Sequence, residues 1–180
     1  MSRTALAELG RLAGLKMYGL ASPAKHAALI KLGVTPIDYH TQDFVEVIRQ
    51  AEPDGLDYVF NGMGEETVER GLAVLRRGGV LVHYGGPQSM PRFLLLVWKI
   101  ILFNLLPNGK AVKGYGTHTV DMQLLKEDWA ILFKLLEEGK IKPVSAQTFP
   151  ILEAAAAGDL LESGRVTGNI VLLSPELLQK

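Results

Sequence analysis

Short apolar runs alternate with helical patterns along the whole chain. Lys16–Leu20 and Tyr58–Phe60 predict strands, and a helix over Pro23–Leu32 follows the first of them. Val80–Tyr84 is almost continuously apolar, which is typical of a strand that is covered on both faces. Strands that alternate with helices in this way predict an α/β fold built on a doubly wound parallel sheet.

The best-specified helix in the pattern spans Glu65–Arg77. Acidic side chains stand at its N-terminal end and basic side chains at its C-terminal end, and both placements suit the helix dipole. Gly78 and Gly79 follow and are expected to end it. Later segments repeat the alternation of strand and helix patterns, and Asn169–Leu173 predicts the last strand.

One strongly apolar segment, Phe93–Pro107, interrupts this pattern. A membrane-spanning helix needs about 20 apolar residues, and this run is shorter and carries Lys99 near its middle. We therefore expect no membrane span and predict a buried helix or a subunit-contact helix. A helix lying on a membrane surface is the weaker alternative, because the polar face is poor.

Length and composition narrow the functional classes. A chain of 180 residues fits one domain, 1–180, with a real core. Its formal net charge is zero, so no basic field argues for nucleic acid as a partner. The chain has no cysteine, and its N-terminus lacks the apolar core of a signal peptide, so we expect a cytoplasmic protein. Its four histidines are scattered without metal-ligand spacing, and no metal site is predicted.

Polar side chains follow the first two predicted strands. Ser22 and Lys25 come after the first strand, and Tyr39 follows the second. Ligands in a doubly wound sheet lie at the carboxyl ends of the strands, where an NAD-binding fold carries an acidic residue for the ribose. This chain offers a hydroxyl and an ammonium there, which suit a ribose 2′-phosphate. Taken singly, Ser22 fits a helix N-cap, Lys25 a solvated helix residue and Tyr39 a half-buried strand end.

Small residues follow the next two strands at the same edge. Asn61 and Gly62 come after the third, and Gly85 and Gly86 come after the fourth. Glycines at strand ends serve turns, and they also let a flat ligand approach the backbone closely. Together with the first two strand ends they indicate a nucleotide site.

Three stretches that run nearly end to end resemble the C-terminal cofactor-binding half of zinc-independent medium-chain dehydrogenase/reductases of the quinone oxidoreductase-like branch. The stretches are ALAELGRLAGLKMYGLASPAKHAALIKLGVTPIDY, DGLDYVFNGMGEETVERGLAVLRRGGVLVHYGG and LLESGRVTGNIVLL. The resemblance implies a Rossmann-like fold, NADPH as cofactor and a small-molecule substrate. By position it places the 2′-phosphate at Ser22, Lys25 and Tyr39, the riboses near Asn61 and Gly62, and the nicotinamide near Tyr84, Gly85 and Gly86.

The family pattern also differs from this chain. Its first strand, its glycine-rich loop and its N-terminal substrate domain precede the point that matches Met1, so we expect a sheet that lacks its central strand. Asn169 stands where many relatives carry a lysine. A missing central strand would leave two strand edges unpaired. Either the remaining strands close the gap, or two chains associate as a homodimer.

Three functional hypotheses follow. The first is the NADPH-binding domain of an oxidoreductase that transfers hydride to a quinone, enone or carbonyl, incomplete as an enzyme on its own. Its catalytic residues stay unassigned, although Tyr84 and Tyr115 are candidate proton donors. The second is a non-catalytic nucleotide-binding or dimerisation module. The third, a methyltransferase-like domain, ranks last because that fold needs an acidic residue where Ser22 and Lys25 stand.

Overall fold

The computed structural model of the chain describes residues 3–64, 67–85, 89–115, 121–163 and 165–178. The strands among them are β1 (Met17–Ala21), β2 (Val34–Asp38), β3 (Leu56–Asn61), β4 (Leu75–Tyr84), β5 (Ala111–Tyr115), β6 (Ser145–Pro150) and β7 (Asn169–Leu173). The α-helices are α1 (Arg3–Leu12), α2 (His26–Lys31), α3 (Phe44–Ala51), α4 (Val68–Ala73), α5 (Met90–Leu105), α6 (Met122–Glu137), α7 (Ala154–Glu162) and α8 (Pro175–Leu178). The predicted α/β fold is confirmed.

All strand pairs are parallel, and they form three sheets with the orders β1-β2, β3-β4-β5 and β6-β7. The sequence predicted a sheet without its central strand, and β1-β2 and β3-β4-β5 are separate in hydrogen bonding, as that prediction requires; the separate pair β6-β7 was not predicted. The alternative in which the strands close the gap is wrong, because β1 and β3 are not hydrogen-bonded neighbours.

The chain divides into two compact units, Met1–His40 with Ala130–Lys180, and Thr41–Trp129. The first unit contains the sheets β1-β2 and β6-β7, and the second contains β3-β4-β5. In the first unit the carboxylate of Glu8 is buried and accepts a hydrogen bond of 3.0 Å from the backbone N–H of Lys142. This bond links α1 to the segment that precedes β6.

The core of the second unit lies between its sheet and helices α4 and α5. Leu81 on β4 is fully buried, and its flanking residues Val80 and Val82 are half-buried. This pattern confirms that the strand is covered on both faces. The buried cluster consists of Val68, Leu72, Leu75, Leu81, Leu96 and Val112, and Leu56, Val59, Ile100 and Phe103 pack against it.

The apolar segment forms α5 and contributes Leu96 to this core. Lys99 turns to α4, where its ammonium lies 2.9 Å from the carboxylate of Glu69. The Lys99 side chain is 15% exposed, so this ion pair is half shielded from solvent. In the described part of the chain, no helix combines the length and apolar character needed to cross a bilayer.

The boundary between α4 and β4 differs from the prediction. The sequence predicted a helix to Arg77, but α4 ends at Ala73 and β4 begins at Leu75. Its predicted start, at 65 and 66, lies outside the described residues. Leu75 pairs with Leu56 of β3, and Arg76 forms an exposed ion pair with Asp57 on the same strand. Gly78, with φ of 84°, sits within β4 instead of ending a helix.

Two side chains pair with backbone groups at a strand edge and at a helix end of this unit. Asn104 of α5 pairs with the backbone of Val112, donating to its carbonyl and accepting from its N–H, both at 2.9 Å. Since β5 ends the sheet order, this pairing occupies part of its free edge. Lys110 donates to the carbonyl of Leu72 in the last turn of α4 at 2.6 Å, and burial lowers the pKa of that lysine.

Candidate functional site

The carboxyl ends of β1 and β2 lie side by side in the first unit. The register pairs Ala21 with Asp38, so Ser22 and Tyr39 are the next residues on two adjacent strands. The sequence placed both at one edge of a sheet, and this placement is confirmed.

Ser22 leads from β1 into a single 3₁₀ turn, Pro23–Lys25, which precedes α2. Its backbone is extended, with φ of −69° and ψ of 154°, as expected of a residue before a helix. Within the described structure its side chain makes no capping hydrogen bond. The prediction of Ser22 as a hydrogen-bonding N-cap is therefore wrong. Lys25 ends the turn and is half-buried. Both polar groups therefore lie within four residues of the end of β1.

Tyr39 is 51% exposed, and its ring lies 4.2 Å from the His40 ring, centroid to centroid. Its phenol is therefore on the surface of the sheet edge and is more exposed than a half-buried strand end. Asp38 beside it is buried and accepts a 3.0 Å hydrogen bond from the backbone N–H of His40. This bond places Asp38 in the turn after β2, whereas Asp57 lies on β3.

In the second unit, Asn61 organises the loop after β3. Its amide oxygen accepts from the backbone N–H of Met63 at 3.0 Å and from the Thr67 hydroxyl at 2.8 Å. Its amide nitrogen donates to the carbonyl of Gly64 at 3.1 Å. The residue is 6% exposed, so its amide is used almost wholly inside the loop.

Sequence reasoning missed Thr67. Its hydroxyl also lies 3.0 Å from the carbonyl of Gly64, so it ties the start of α4 to both ends of the loop. A threonine three residues after a glycine-rich turn and directly before a helix is an N-terminal signal that would have found it. The loop geometry therefore depends on Asn61 and Thr67 together.

A tyrosine covers the glycine that follows Asn61. A β-carbon built on Gly62 would lie 2.8 Å from two ring carbons of Tyr84, so the ring packs directly on the Gly62 backbone. Tyr84 is half-buried, and the register pairs it with Tyr115 on β5. Gly62, Tyr84 and Tyr115 thus form one row across the carboxyl edge of this sheet.

Gly85 continues the chain beyond β4 with φ of 105°, a conformation that favours glycine. A β-carbon there would meet no described atom within 4 Å, so its surroundings are open. Gly86 lies outside the described residues. His83, one residue before Tyr84, is 6% exposed and is therefore packed inside the unit.

These residues form two local arrangements. Ser22, Lys25 and Tyr39 belong to the first unit, and the loop of Asn61 with Tyr84 belongs to the second. A cavity of about 60 Å³ in the first unit is lined by Glu8, Asn169 and seven neighbours, and it is far smaller than a dinucleotide site. Among the described residues, no group of three or more histidine, cysteine or acidic side chains is placed to hold a metal.

Comparison with known proteins identifies the family. A family model described as zinc-binding dehydrogenase matches residues 32–172. The human synaptic vesicle membrane protein VAT-1 homolog is 31% identical over 170 residues, which cover 87% of this chain and 43% of that protein. A 2-haloacrylate reductase of Burkholderia sp. is 30% identical over 139 residues, covering 76% of this chain and 41% of the reductase.

Solved structures agree on the fold. The CurK enoyl reductase superposes with a TM-score of 0.77 at 24% identity, covering 95% of this chain and 51% of that one. The chain spans less than half the length of the two curated relatives above. It belongs to the medium-chain dehydrogenase/reductase family, whose nucleotide-binding domains take a nicotinamide cofactor.

Proposed function

We propose that this chain is the NADPH-binding domain of a zinc-independent oxidoreductase that reduces a small quinone, enone or carbonyl. Family membership supports a nicotinamide cofactor. The choice of NADPH, the substrate class and the independence from zinc are our proposals.

Residues at the carboxyl edge of the β1-β2 sheet support the choice of NADPH. Ser22 and Tyr39 follow paired strand ends, and Lys25 lies in the turn between β1 and α2. A hydroxyl, an ammonium and a phenol are donors, and a 2′-phosphate is an acceptor with a double negative charge. The residues directly after β1 include no carboxylate, the group that an NAD site uses for the ribose hydroxyl.

In the second unit, we propose that the Asn61 loop supports the riboses through its backbone. The amide of Asn61 already bonds within the loop, so its contribution is to hold Gly62 and Met63 in place. Tyr84 and Gly85 would lie on the nicotinamide side, together with Gly86. The bound cofactor supplies the hydride, and the protein residues bind and orient it.

A thermal melt tests the cofactor. A ligand that binds only the folded state raises the free energy of unfolding by mass action, by about 2.7 kcal/mol at a hundredfold excess over Kd. The melting temperature rises with it. We expect a rise with NADPH and with 2′,5′-ADP, and little with NADH or 5′-ADP. An equal response to NADH, or a response to S-adenosylmethionine that exceeds the one to NADPH, would refute the proposal.

Two lysines on the same short segment give a matched pair for this test. Lys25→Ala should weaken 2′,5′-ADP binding by about tenfold, roughly 1.4 kcal/mol for a lost charged contact. Lys31→Ala removes an exposed lysine at the far end of α2 and should leave binding unchanged. Equal effects of the two substitutions would mean that Lys25 acts through general charge and not as a phosphate ligand.

The non-catalytic nucleotide-binding or dimerisation module is the second candidate. NADPH oxidation with quinone and enone acceptors separates the two: turnover supports the oxidoreductase, and cofactor binding without turnover supports the module. We also propose a homodimer as the state of the chain in solution. The cytoplasmic location stays a prediction.

A further inference from the structure

The small cavity of the first unit has no part in the proposed cofactor site. Its walls come from the first half of α1, from α6, from the segment that leads into β6 and from the first residue of β7. Most of its lining residues are apolar, and the three polar ones are Thr4, Glu8 and Asn169. Each of these three carries an oxygen that accepts hydrogen bonds. The cavity therefore combines apolar walls with a few polar acceptors.

Glu8 is the one charged residue of the lining. It is 7% exposed, and one oxygen of its carboxylate accepts the hydrogen bond from the backbone N–H of Lys142. In the described part of the chain, no lysine or arginine side chain forms an ion pair with it. A carboxylate removed from water loses hydration that one hydrogen bond from a neutral group does not replace. Its charge can therefore attract a cationic ligand into the cavity.

Hydrogen bonds hold the polar walls of the cavity in place. Glu8 accepts from the backbone of Lys142, and the N–H of Asn169 donates to the carbonyl of Val144 at 2.8 Å. A β-carbon on Gly168 would collide with that same carbonyl, so the backbone beside Asn169 packs directly on Val144. Both α1 and β7 are thus bonded to the segment 142–144, and this arrangement needs no ligand to form.

The volume of the cavity limits the ligand to a few atoms. It measures about 60 Å³, whereas an apolar cavity of about 150 Å³ holds benzene, which has six heavy atoms. In proportion, about two or three heavy atoms fit here. Ala5, Pro143 and Asn169 belong to the lining and are exposed, so the cavity opens to solvent. A longer chain attached to the ligand would leave through this opening.

The lining suits an ammonium group better than a metal ion. Calcium takes about six to eight oxygen ligands and magnesium demands an octahedral set, but only three lining side chains carry an oxygen. A primary ammonium has three N–H donors. The same number of acceptor side chains lines the cavity, and one of them carries the opposite charge. The apolar walls would contact the carbon atoms of the ligand.

We infer that this cavity binds a primary alkylammonium group, with the Glu8 carboxylate as its charge partner and Thr4 and Asn169 as further acceptors. The inference goes beyond the proposed function, because the site shares no residue with the proposed cofactor site. Two sources carry this chemistry: a free short-chain amine, and the end of a lysine side chain from another protein.

Titration of the isotope-labelled chain with ethylammonium chloride, followed by NMR, tests the site. The backbone amides of Lys142 and Asn169 should shift, because both residues belong to the hydrogen-bonded walls. The dissociation constant should lie in the millimolar range, the best that a ligand of three heavy atoms reaches. Ethanol, the neutral analogue of the same size, and sodium chloride should leave these amides unshifted. The absence of a saturable shift, or an equal shift with ethanol or sodium chloride, would overturn the inference.

Glu8→Gln removes the charge and keeps an acceptor for the Lys142 N–H, so the melting temperature should change little. Ethylammonium binding should weaken by about tenfold or more, as expected for a lost charged contact. Glu153→Gln is the matched control, because Glu153 is an exposed glutamate of the same unit and should leave binding unchanged. Unchanged binding in Glu8→Gln, or an equal loss in both variants, would overturn the role of Glu8.

Asn169→Lys gives a second variant that does not alter Glu8. A lysine at the opening can place its own ammonium beside the carboxylate, so this variant should melt at a higher temperature and lose the ethylammonium response. Binding that survives in Asn169→Lys would place the ligand elsewhere and overturn the site.

A titration with N-acetyl-lysine methylamide distinguishes the two sources. Binding at least as tight as that of ethylammonium would support a lysine side chain as the ligand, and binding of short amines alone would support a free amine. Failure of the lysine derivative and of ethylammonium together would overturn the inference. None of these titrations contains NADPH, so the proposed cofactor and the ammonium site stand or fall separately.

Discussion

Asn61→Ala removes the amide that holds the loop between β3 and α4. Three hydrogen bonds are lost, to the backbone N–H of Met63, the carbonyl of Gly64 and the hydroxyl of Thr67. The Thr67 hydroxyl and the Gly64 carbonyl keep each other as partners at 3.0 Å. The main loss is therefore the acceptor of the Met63 N–H, together with the buried packing of the amide.

The magnitude follows from that count. A typical intramolecular hydrogen bond contributes about 1 kcal/mol net, and a donor left without an acceptor costs about 1–3 kcal/mol. We expect Asn61→Ala to lower the free energy of unfolding by about 2 kcal/mol. Thr67→Val, which keeps the shape and removes the hydroxyl, should cost about 1 kcal/mol. Because Asn61 and Thr67 share a hydrogen bond, the double variant should cost less than the sum.

Two measurements check this reasoning. Urea unfolding followed by circular dichroism gives the free energies, and hydrogen exchange gives the protection of the Met63 amide. That amide should exchange faster in Asn61→Ala and keep most of its protection in Thr67→Val. A cost below about 0.5 kcal/mol for Asn61→Ala, or strict additivity in the double variant, would refute the hydrogen-bonded loop.

The same loop gives a functional readout. If the loop supports both riboses, Thr67→Val should weaken NADPH binding more than 2′,5′-ADP binding, because that fragment lacks the ribose on the nicotinamide side. Thr67→Ser keeps the hydroxyl and should restore NADPH binding. An equal loss for both ligands in Thr67→Val would indicate a general loss of folded protein instead.

Two further predictions concern stability. The Lys99 ammonium holds the pKa of Glu69 below its ordinary value of 4.5. The ion pair should therefore stabilise the fold above that pH, and its stabilisation should be lost as the pH falls through the lowered pKa. Glu69→Gln should cost about 1 kcal/mol at pH 7, since Glu69 is half exposed, and almost nothing in acid; a cost independent of pH in urea titrations would contradict the ion pair. Lys110→Met removes the donor to the Leu72 carbonyl and should cost about 1 kcal/mol by the same assay, whereas an unchanged midpoint would show that water replaces it.

The sequence by itself determined the order and type of the elements, because they depend on local periodicity. Asn169–Leu173 was predicted with the bounds that the structure gives. The positions of the strand ends were predicted from the same pattern. The structure places Ser22 and Tyr39 side by side, as expected. Parallel strands bring their carboxyl ends to one edge whatever the side chains are, so this placement needs no knowledge of packing.

Tertiary contacts decided the rest. Arg76 and Arg77 fit a helix end by charge, but Arg76 pairs with Asp57, nineteen residues earlier, and the segment joins the sheet. The pattern before a helix points to Thr67, but only the folded chain shows that its hydroxyl bonds the Asn61 amide.

The strands form three separate sheets for a related reason. Hydrogen bonds between strands require a neighbouring edge at about 4.8 Å, and whether an edge finds one depends on the strands beside it. The local pattern that predicts a strand contains no information about its neighbours. Lys99 shows the same limit, because its sequence position argues against a membrane span, whereas only the folded chain shows that it pairs with Glu69 of α4.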